Sequence, residues 1–256
     1  MRLHASSLTV SYGGVHAVDG VTLDIEAGTL AGLIGPNGAG KTSLIDALAG
    51  FVAYEGSVAL GDVTLDGLAP HERARRGLVR SFQTVELFDD LDVRGNLLVA
   101  ADRLTVWRAL RDLVVPRSVS TAGRLERAVE LVGIGHLLDR GTGELSEGER
   151  KLVGLCRALV PDPAVLLLDE PAAGLDTTES RRLGERLRAI VDAGTTVVLV
   201  DHDMDLVLTV CDVVHVIESG HRIASGPPEA VRRHEGVAAA YLGVNTTSAP
   251  AGGAQG

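Results

Sequence analysis

Cysteine and positive charge are scarce in this chain, and it has no long apolar run. The two cysteines, Cys156 and Cys211, sit in apolar surroundings without C-x-x-C spacing. That pattern points to small core residues in a reducing compartment rather than to a disulfide or a metal pair. No stretch approaches the roughly 18 consecutive apolar residues of a membrane span, and the opening MRLHASSLTV has no apolar segment of the kind a secretory signal needs. A soluble globular protein of the cytosol is expected. Lys and Arg number 24 against 34 Asp and Glu, a formal net charge of -10 at pH 7, and this argues against nucleic acid as a partner, because such binding needs clustered cations. The local exception is HERARRGLVR, whose Arg73, Arg75, Arg76 and Arg80 are expected on the solvated face of a short helix started by Pro70. A contact with a membrane-proximal partner surface is the alternative reading of those arginines.

What the chain does have is enough apolar residue, 45% of 256, to bury a core in one domain or in two closely joined lobes. Strand-like runs occur at SLTV, LAGLI, SVAL, VLLL, TTVVLV and VVHVI. Helical spacing occurs at KTSLIDALAG, RLERAVELV, ERKLVGLCRAL and ESRRLGERLRAIVDAG. The mixture predicts an α/β fold. VLLL and VVLV are continuously apolar, as central strands covered on both faces are. From about 91 to 160 the sequence reads as successive helices, an inserted helical lobe, and the core is expected at about 1–90 and 161–242. The last residues, GVNTTSAPAGGAQG, carry too little apolar surface to offset the entropy of ordering them, so 243–256 is expected to be a disordered tail.

Gly35 to Thr42, GPNGAGKT, matches G-x-x-x-x-G-K-[ST] and lies between an apolar strand and a helix with the apolar face Leu44, Ile45, Leu48 and Ala49. Missing side chains let backbone N–H groups converge on phosphate oxygens, and the helix N-terminus adds the positive end of its dipole. The loop Gly35, Pro36, Asn37, Gly38, Ala39 and Gly40, with Lys41, Thr42 and Ser43, is therefore expected to bind nucleotide. Lys41 is expected to reach the β- and γ-phosphates and the Thr42 hydroxyl to ligate Mg²⁺.

A second element, VLLLDEP, ends its strand in Asp169 and Glu170. Successive residues of an extended chain point to opposite sides, so Asp169 can hold Mg²⁺ while Glu170 polarises the attacking water. A third, ELSEGER, gives Ser146 and Glu149 as an S-x-x-E capping box. Capping alone accounts for both residues. It does not account for Gly148, which weakens the first helical turn and makes sense if a second phosphate approaches the backbone there.

With these three motifs in this order, residues 3 to 242 resemble the nucleotide-binding subunit of an ABC transporter, a P-loop NTPase core with a mixed sheet, an N-terminal antiparallel β part and a helical lobe. The resemblance implies two such subunits sandwiching two ATP molecules, with Ser146 and Gly148 completing the site of the other subunit. It further implies that Tyr12 in SYGG stacks on adenine and that Gln83 in SFQTVELF contacts Mg²⁺ or water and senses the membrane partner. Asp176 in AAGLD then lies in the loop that communicates across the dimer, and His202 in LVDHDMDLV is the switch histidine near the γ-phosphate. For His202 a set of metal ligands with Asp201, Asp203 and Asp205 is the competing reading. The sequence departs from the usual LSGGQ at Glu147 and Glu149, whose carboxylates suit a helix dipole but repel a phosphate unless they point away.

Longer stretches, GLVRSFQTVELFDDLDVRGNLLVA and the ending VIESGHRIASGPPEAVRRHEGVAAAYLG, are similar to the ATP-binding subunits of importers of branched-chain and other hydrophobic amino acids, the LivG-like group. That likeness implies integral-membrane permease subunits, an extracytoplasmic solute-binding protein, and a homodimer or a heterodimer with a related ATPase, at the cytoplasmic face of the membrane. Urea or short amides, and a lipid exporter, remain alternatives. A soluble ABC ATPase acting on DNA or the ribosome would show a coiled-coil insertion, zinc-binding pairs or two fused ATPase domains. We expect Gly148→Asp to abolish ATP turnover while single-subunit ATP binding stays intact; turnover that survives the change would show that the signature is misassigned.

Overall fold

The computed structural model describes residues 1–81, 86–101, 121–234 and 237, so Gln83 and the segment 243–256 lie outside the described residues. In chain order the strands are β1 (Leu3–Tyr12), β2 (Val15–Ile25), β3 (Leu30–Ile34), β4 (Glu55–Leu60), β5 (Val63–Thr64), β6 (Leu78–Ser81), β7 (Val165–Asp169), β8 (Thr196–Val200), β9 (Val213–Glu218) and β10 (His221–Gly226). They build a smaller antiparallel sheet ordered β2-β1-β4-β5 and a larger sheet ordered β10-β9-β3-β8-β7-β6. In the larger sheet β9, β3, β8, β7 and β6 run parallel, and β10 joins antiparallel.

The helices are α1 (Lys41–Ala49), α2 (Pro70–Arg76), α3 (Val93–Ala101), α4 (Thr121–Val132), α5 (Glu147–Leu159), α6 (Thr177–Asp192), α7 (Met204–Val210) and α8 (Pro228–Arg232). Between β6 and β7 the described elements are helices and 3₁₀ turns, with one isolated bridge pairing Asp92 with Gly141.

Strand alternation explains how one sheet carries two cores. Leu30 and Ile34 of β3, Leu166 and Leu168 of β7, and Val197 and Leu199 of β8 face α5, α6 and α7 in one cluster. Their neighbours Ala31, Leu33, Val165, Leu167, Val198 and Val200 face the opposite way, onto α1 and the antiparallel sheet. β7 and β8 are buried along their whole length, which is why they are apolar without a break. At Gly32 the helix α7 packs directly on the sheet, since a Cβ there would stand 2.6 Å from Val207 Cγ1. Cys156 and Cys211 are free thiols in the first cluster, and burial pushes each up to about 12.

Two of the four clustered arginines overturn the expectation of a solvated face. Arg73 is 2% exposed. Its guanidinium donates to the carbonyls of Ala47 (2.9 Å), Leu48 (2.7 Å) and Leu68 (3.1 Å) and to the Tyr54 hydroxyl (2.8 Å). The first two are among the last carbonyls of α1, which attract a cation, and Ala47 accepts from the Gly50 N–H (3.1 Å) as well. Gly50, at φ +81°, leaves room for this, because a Cβ there would meet Arg73 Nε at 2.7 Å. Arg80 is turned inward as well, with a side chain 9% exposed.

Replacing Arg73 by alanine takes their donor from the Leu48 and Leu68 carbonyls and opens a void. We expect Arg73→Ala to lower unfolding stability by about 3 kcal/mol in urea titrations, and Arg73→Lys not to restore it, since one ammonium cannot cover so spread a set of acceptors. His215 of β9 is also buried, its Nδ1 2.9 Å from Ser225 Oγ of β10. Burial first, and Arg222 second, push it down to about 4 from an ordinary 6.5, against a smaller opposing pull from Asp24. The unfolded chain then takes up this proton first as pH falls. The stabilisation is complete above pH 6.5 and lost progressively toward about 4, about 3 kcal/mol in all. Chemical denaturation midpoints measured from pH 7 to 4.5 should fall, and should fall less in His215→Gln.

Candidate active site

The parallel strands deliver the candidate residues to one edge, because their carboxyl ends all point the same way. Residues Leu33, Val200 and Asp169 stand level across β3, β8 and β7, through the pairs Leu33 with Val200 and Val200 with Asp169. The glycine-rich loop leaves β3 two residues later, Glu170 follows β7 directly, and Asp201 and His202 follow β8. β6 emerges beside β7, with Ser81 level with Leu168.

The loop's glycines are demanded first by the protein itself. A Cβ on Gly35 would lie 2.1 Å from the Ile217 carbonyl oxygen of β9, and one on Gly40, at φ +102°, 2.1 Å from the Ala17 carbonyl oxygen of β2. Gly38, at φ +79°, has open space around it at the exposed tip. The loop is thus pressed between the two sheets and presents its tip outward, where side chains give way to backbone N–H groups. Lys41 is 7% exposed, and its ammonium donates to the carbonyls of Gly35 (2.7 Å) and Pro36 (3.0 Å). Burial pulls its pKa down, while Glu170 and Asp169 act in the opposite sense, so the cation lies within electrostatic reach of both carboxylates.

Asp169 is buried, and its Oδ2 accepts from Arg80 at 2.8 Å. Thr42, Arg80 and Asp169 line one cavity of about 910 Å³. A hydroxyl and a carboxylate are hard oxygen donors, a set that suits Mg²⁺. Glu170 takes φ +49° and donates its N–H to the Val200 carbonyl at 2.7 Å. A non-glycine residue held in the left-handed region costs about 1–3 kcal/mol and is kept only where its surroundings fix it.

Asp201 is 1% exposed and accepts from the N–H groups of Ala172 and Asp203, both at 3.0 Å. It therefore ties the loop after Glu170 to the loop carrying His202. Asp203 caps α7 and accepts from Ser180 Oγ at 2.7 Å. These carboxylates are committed to backbone and hydroxyl donors, and among the described residues no group of three or more His, Cys, Asp and Glu could hold a metal ion. His202 itself is exposed, with Nδ1 3.7 Å from Asp201 Oδ1.

Ser146 caps α5 as the spacing predicts: its Oγ accepts from the Glu149 N–H (3.2 Å) and its N–H donates to Glu149 Oε2 (2.8 Å). Glu149 is further engaged by Arg140 at 2.9 Å. The Ser146 N–H above all, and Arg140 with it, holds the Glu149 carboxyl below its ordinary range. That carboxylate is folded back onto its own helix and neutralised. A Cβ on Gly148 would stand 2.9 Å from Glu179 Oε1 of the same chain, so Gly148→Asp should be compared with the same change in a Glu179→Gln background. Asp176 caps α6, accepting from Thr178 and Glu179 N–H groups at 2.8 Å. Tyr12, 50% exposed, ends β1 beside the turn into β2, the strand whose Ala17 touches Gly40.

Sequence reasoning missed Arg80 and Asp46, which share an ion pair, and Lys151, which donates to the Pro171 and Ala173 carbonyls and so joins α5 to the loop after Glu170. Gln83 is outside the described residues.

A glycine cradle, a buried lysine and two carboxylates at the carboxyl edge of a parallel sheet define a P-loop nucleotide-binding ATPase. Residues 18–173 match the family model described as ABC transporter, and residues 221–245 match that described as branched-chain amino acid ATP-binding cassette transporter. The chain belongs to the ABC transporter family, whose cassettes are ATPases coupled to transport. It is 37% identical over 250 residues to the high-affinity branched-chain amino acid transport ATP-binding protein BraF of Pseudomonas aeruginosa, covering 94% of this chain and 97% of that one. With the same coverage it is 36% identical over 248 residues to LivG of Escherichia coli, of the same description, and to that organism's lipopolysaccharide export system ATP-binding protein LptB. Among solved structures, the ADP conformation of MJ1267, an ATP-binding cassette of an ABC transporter, superposes with a TM-score of 0.82 at 29% identity, covering 95% of this chain and 99% of that one.

Proposed function

We propose that this chain is the ATP-hydrolysing subunit of an importer of branched-chain or other hydrophobic amino acids. It works as a pair, with an identical or a related subunit, beneath integral-membrane permeases supplied by an extracytoplasmic solute-binding protein. Its place is the cytoplasmic face of the membrane, as a peripheral subunit, and among the described residues no helix is long and apolar enough to cross a bilayer. The ATPase domain is taken as residues 1–242, with a core of about 1–90 and 161–242 and a helical lobe of about 91–160. The observation that carries the solute class is the match of residues 221–245 to the branched-chain family model. Overall identity does not discriminate, since LptB reaches the same 36%. Lipid export is therefore the second reading.

The positions of the described side chains support the following roles, and that of Gln83 rests on the family resemblance. Lys41, buried over the loop, neutralises the β- and γ-phosphates, and the backbone of Gly35 to Gly40 with Ser43 holds them. Thr42 and Asp169, with Gln83, hold Mg²⁺, which when bound neutralises charge on the phosphate oxygens. Glu170, fixed by its strained backbone beside β8, polarises water, and His202, on the loop that follows β8, meets the γ-phosphate. Tyr12 stacks on adenine. Ser146 and Gly148 face the nucleotide of the partner subunit, and Asp176 passes the state of one site to the other.

Glu170→Gln should bind ATP, form a stable dimer seen by size-exclusion chromatography, and lose about 10²- to 10⁴-fold in turnover. Normal hydrolysis by this variant would remove Glu170 from the role. Reconstitution with the membrane subunits separates the two solute readings: leucine or another apolar amino acid, delivered by its binding protein, stimulates ATPase activity in the first, and a lipid does so in the second.

A further inference from the structure

Arg80 is ion-paired with Asp169 and reaches a second carboxylate as well. One guanidinium nitrogen, Nη2, donates to Asp169 Oδ2 at 2.8 Å, and Nη1 donates to Asp46 Oδ1. All three side chains are largely shielded, with exposures of 9% for Arg80, 5% for Asp169 and 22% for Asp46. Asp46 lies on α1 one helical turn after Thr42, and Arg80 lies on β6 three residues before Gln83. The Phe51 ring stands 5.6 Å from the guanidinium carbon and packs the group in place.

We propose that Arg80 is a positioning residue for the Mg²⁺ site, a fork that locks Asp169 to α1 through Asp46 and so sets the spacing between the Asp169 carboxylate and the Thr42 hydroxyl. The proposal rests on the reading of Asp169 and Thr42 as metal-binding groups. A planar guanidinium meets two carboxylates at once with fixed geometry, which a lysine ammonium cannot do. Three groups that must act together, the helix of the glycine-rich loop, the strand of the water-polarising glutamate and the strand leading to Gln83, thereby share one charged joint.

Two effects of opposite sign meet at this residue. A cation beside a metal site repels the metal, so its removal tightens binding if repulsion dominates. A cation that fixes a ligand strengthens binding, so its removal weakens it if positioning dominates. Low exposure and double anchoring favour positioning.

The experiment measures Mn²⁺ binding by electron paramagnetic resonance to the full-length protein saturated with a non-hydrolysable ATP analogue. Arg80→Gln is expected to raise the half-saturating Mn²⁺ concentration about 10- to 100-fold, the range for lost outer partners of metal ligands. Arg80→Lys and Asp46→Asn should each give smaller rises. The rises from Arg80→Gln and Asp46→Asn should not add in the double variant, because both break one bridge. Analogue affinity measured in EDTA should stay within about twofold in every variant. Unchanged or tighter Mn²⁺ binding in folded Arg80→Gln overturns the proposal, as does a full additive effect in the double variant. If Arg80→Gln does not fold, Arg80→Lys and Asp46→Asn carry the same test. Asp169→Asn distinguishes the underlying reading: Mn²⁺ binding that is indifferent to that change means Asp169 is not a ligand, whatever Arg80 does.

Discussion

The glycine-rich loop is held by close backbone contact with two other strands, one from each sheet, and the site is arranged around that contact. Carbonyl oxygens of Ala17 and Ile217 stand where side chains of residues 40 and 35 would be. Further bonds run from the Gly220 N–H to the Ala39 carbonyl (3.0 Å) and from the Asp19 N–H to the Gly220 carbonyl (2.9 Å), lacing the loop to the turn between β9 and β10 and to β2. A loop so confined has little freedom to collapse. Its outward tip is therefore shaped before any ligand arrives, and preorganisation of this kind lowers the cost of binding.

Charge is distributed around this loop with the same economy. A chain of net charge -10 places two arginines out of solvent within reach of α1, one on its final carbonyls and one on its Asp46 side chain. Burial of a guanidinium is unfavourable without acceptors, and here they include helix-end carbonyls, a tyrosine hydroxyl and two carboxylates. The signature helix α5 follows the same rule, with Glu149 covered by Arg140. The acidic departures from the usual motif are thus partly cancelled within the chain.

The most readable elements were those whose periodicity nothing interrupts. β3, β7 and β8 appear as unbroken apolar runs, and α1, α5 and α6 as amphipathic helices with clear caps. β2 escaped because its alternation is broken: Gly20 takes φ +62°, Asp19 and Gly20 are exposed, and the pairing with β1 shifts register three times. α7 escaped because its cap, Asp203, stands in a run of carboxylates that reads as a polar loop. At the site, the glycine-rich loop between β3 and α1, the positions of Asp169 and Glu170 at the end of β7 and the Ser146 cap could be read from the sequence pattern. The inward turn of Arg73 and Arg80 could not, since helical period does not say which long side chain meets an open carbonyl or a distant carboxylate. Lys151 was hidden for the same reason: its acceptors are backbone oxygens more than 19 residues away, Pro171 at a separation of 20 and Ala173 at 22.

The chain's only thiols, Cys156 and Cys211, lie inside the apolar cluster, each pushed up to about 12 by burial. At neutral pH the nucleophilic thiolate form is all but absent from both. The native protein thus behaves as its own cysteine-free background. A spin label or fluorophore attached through one introduced surface cysteine would report from that place alone, and distances between labelled subunits become accessible without first rebuilding the core.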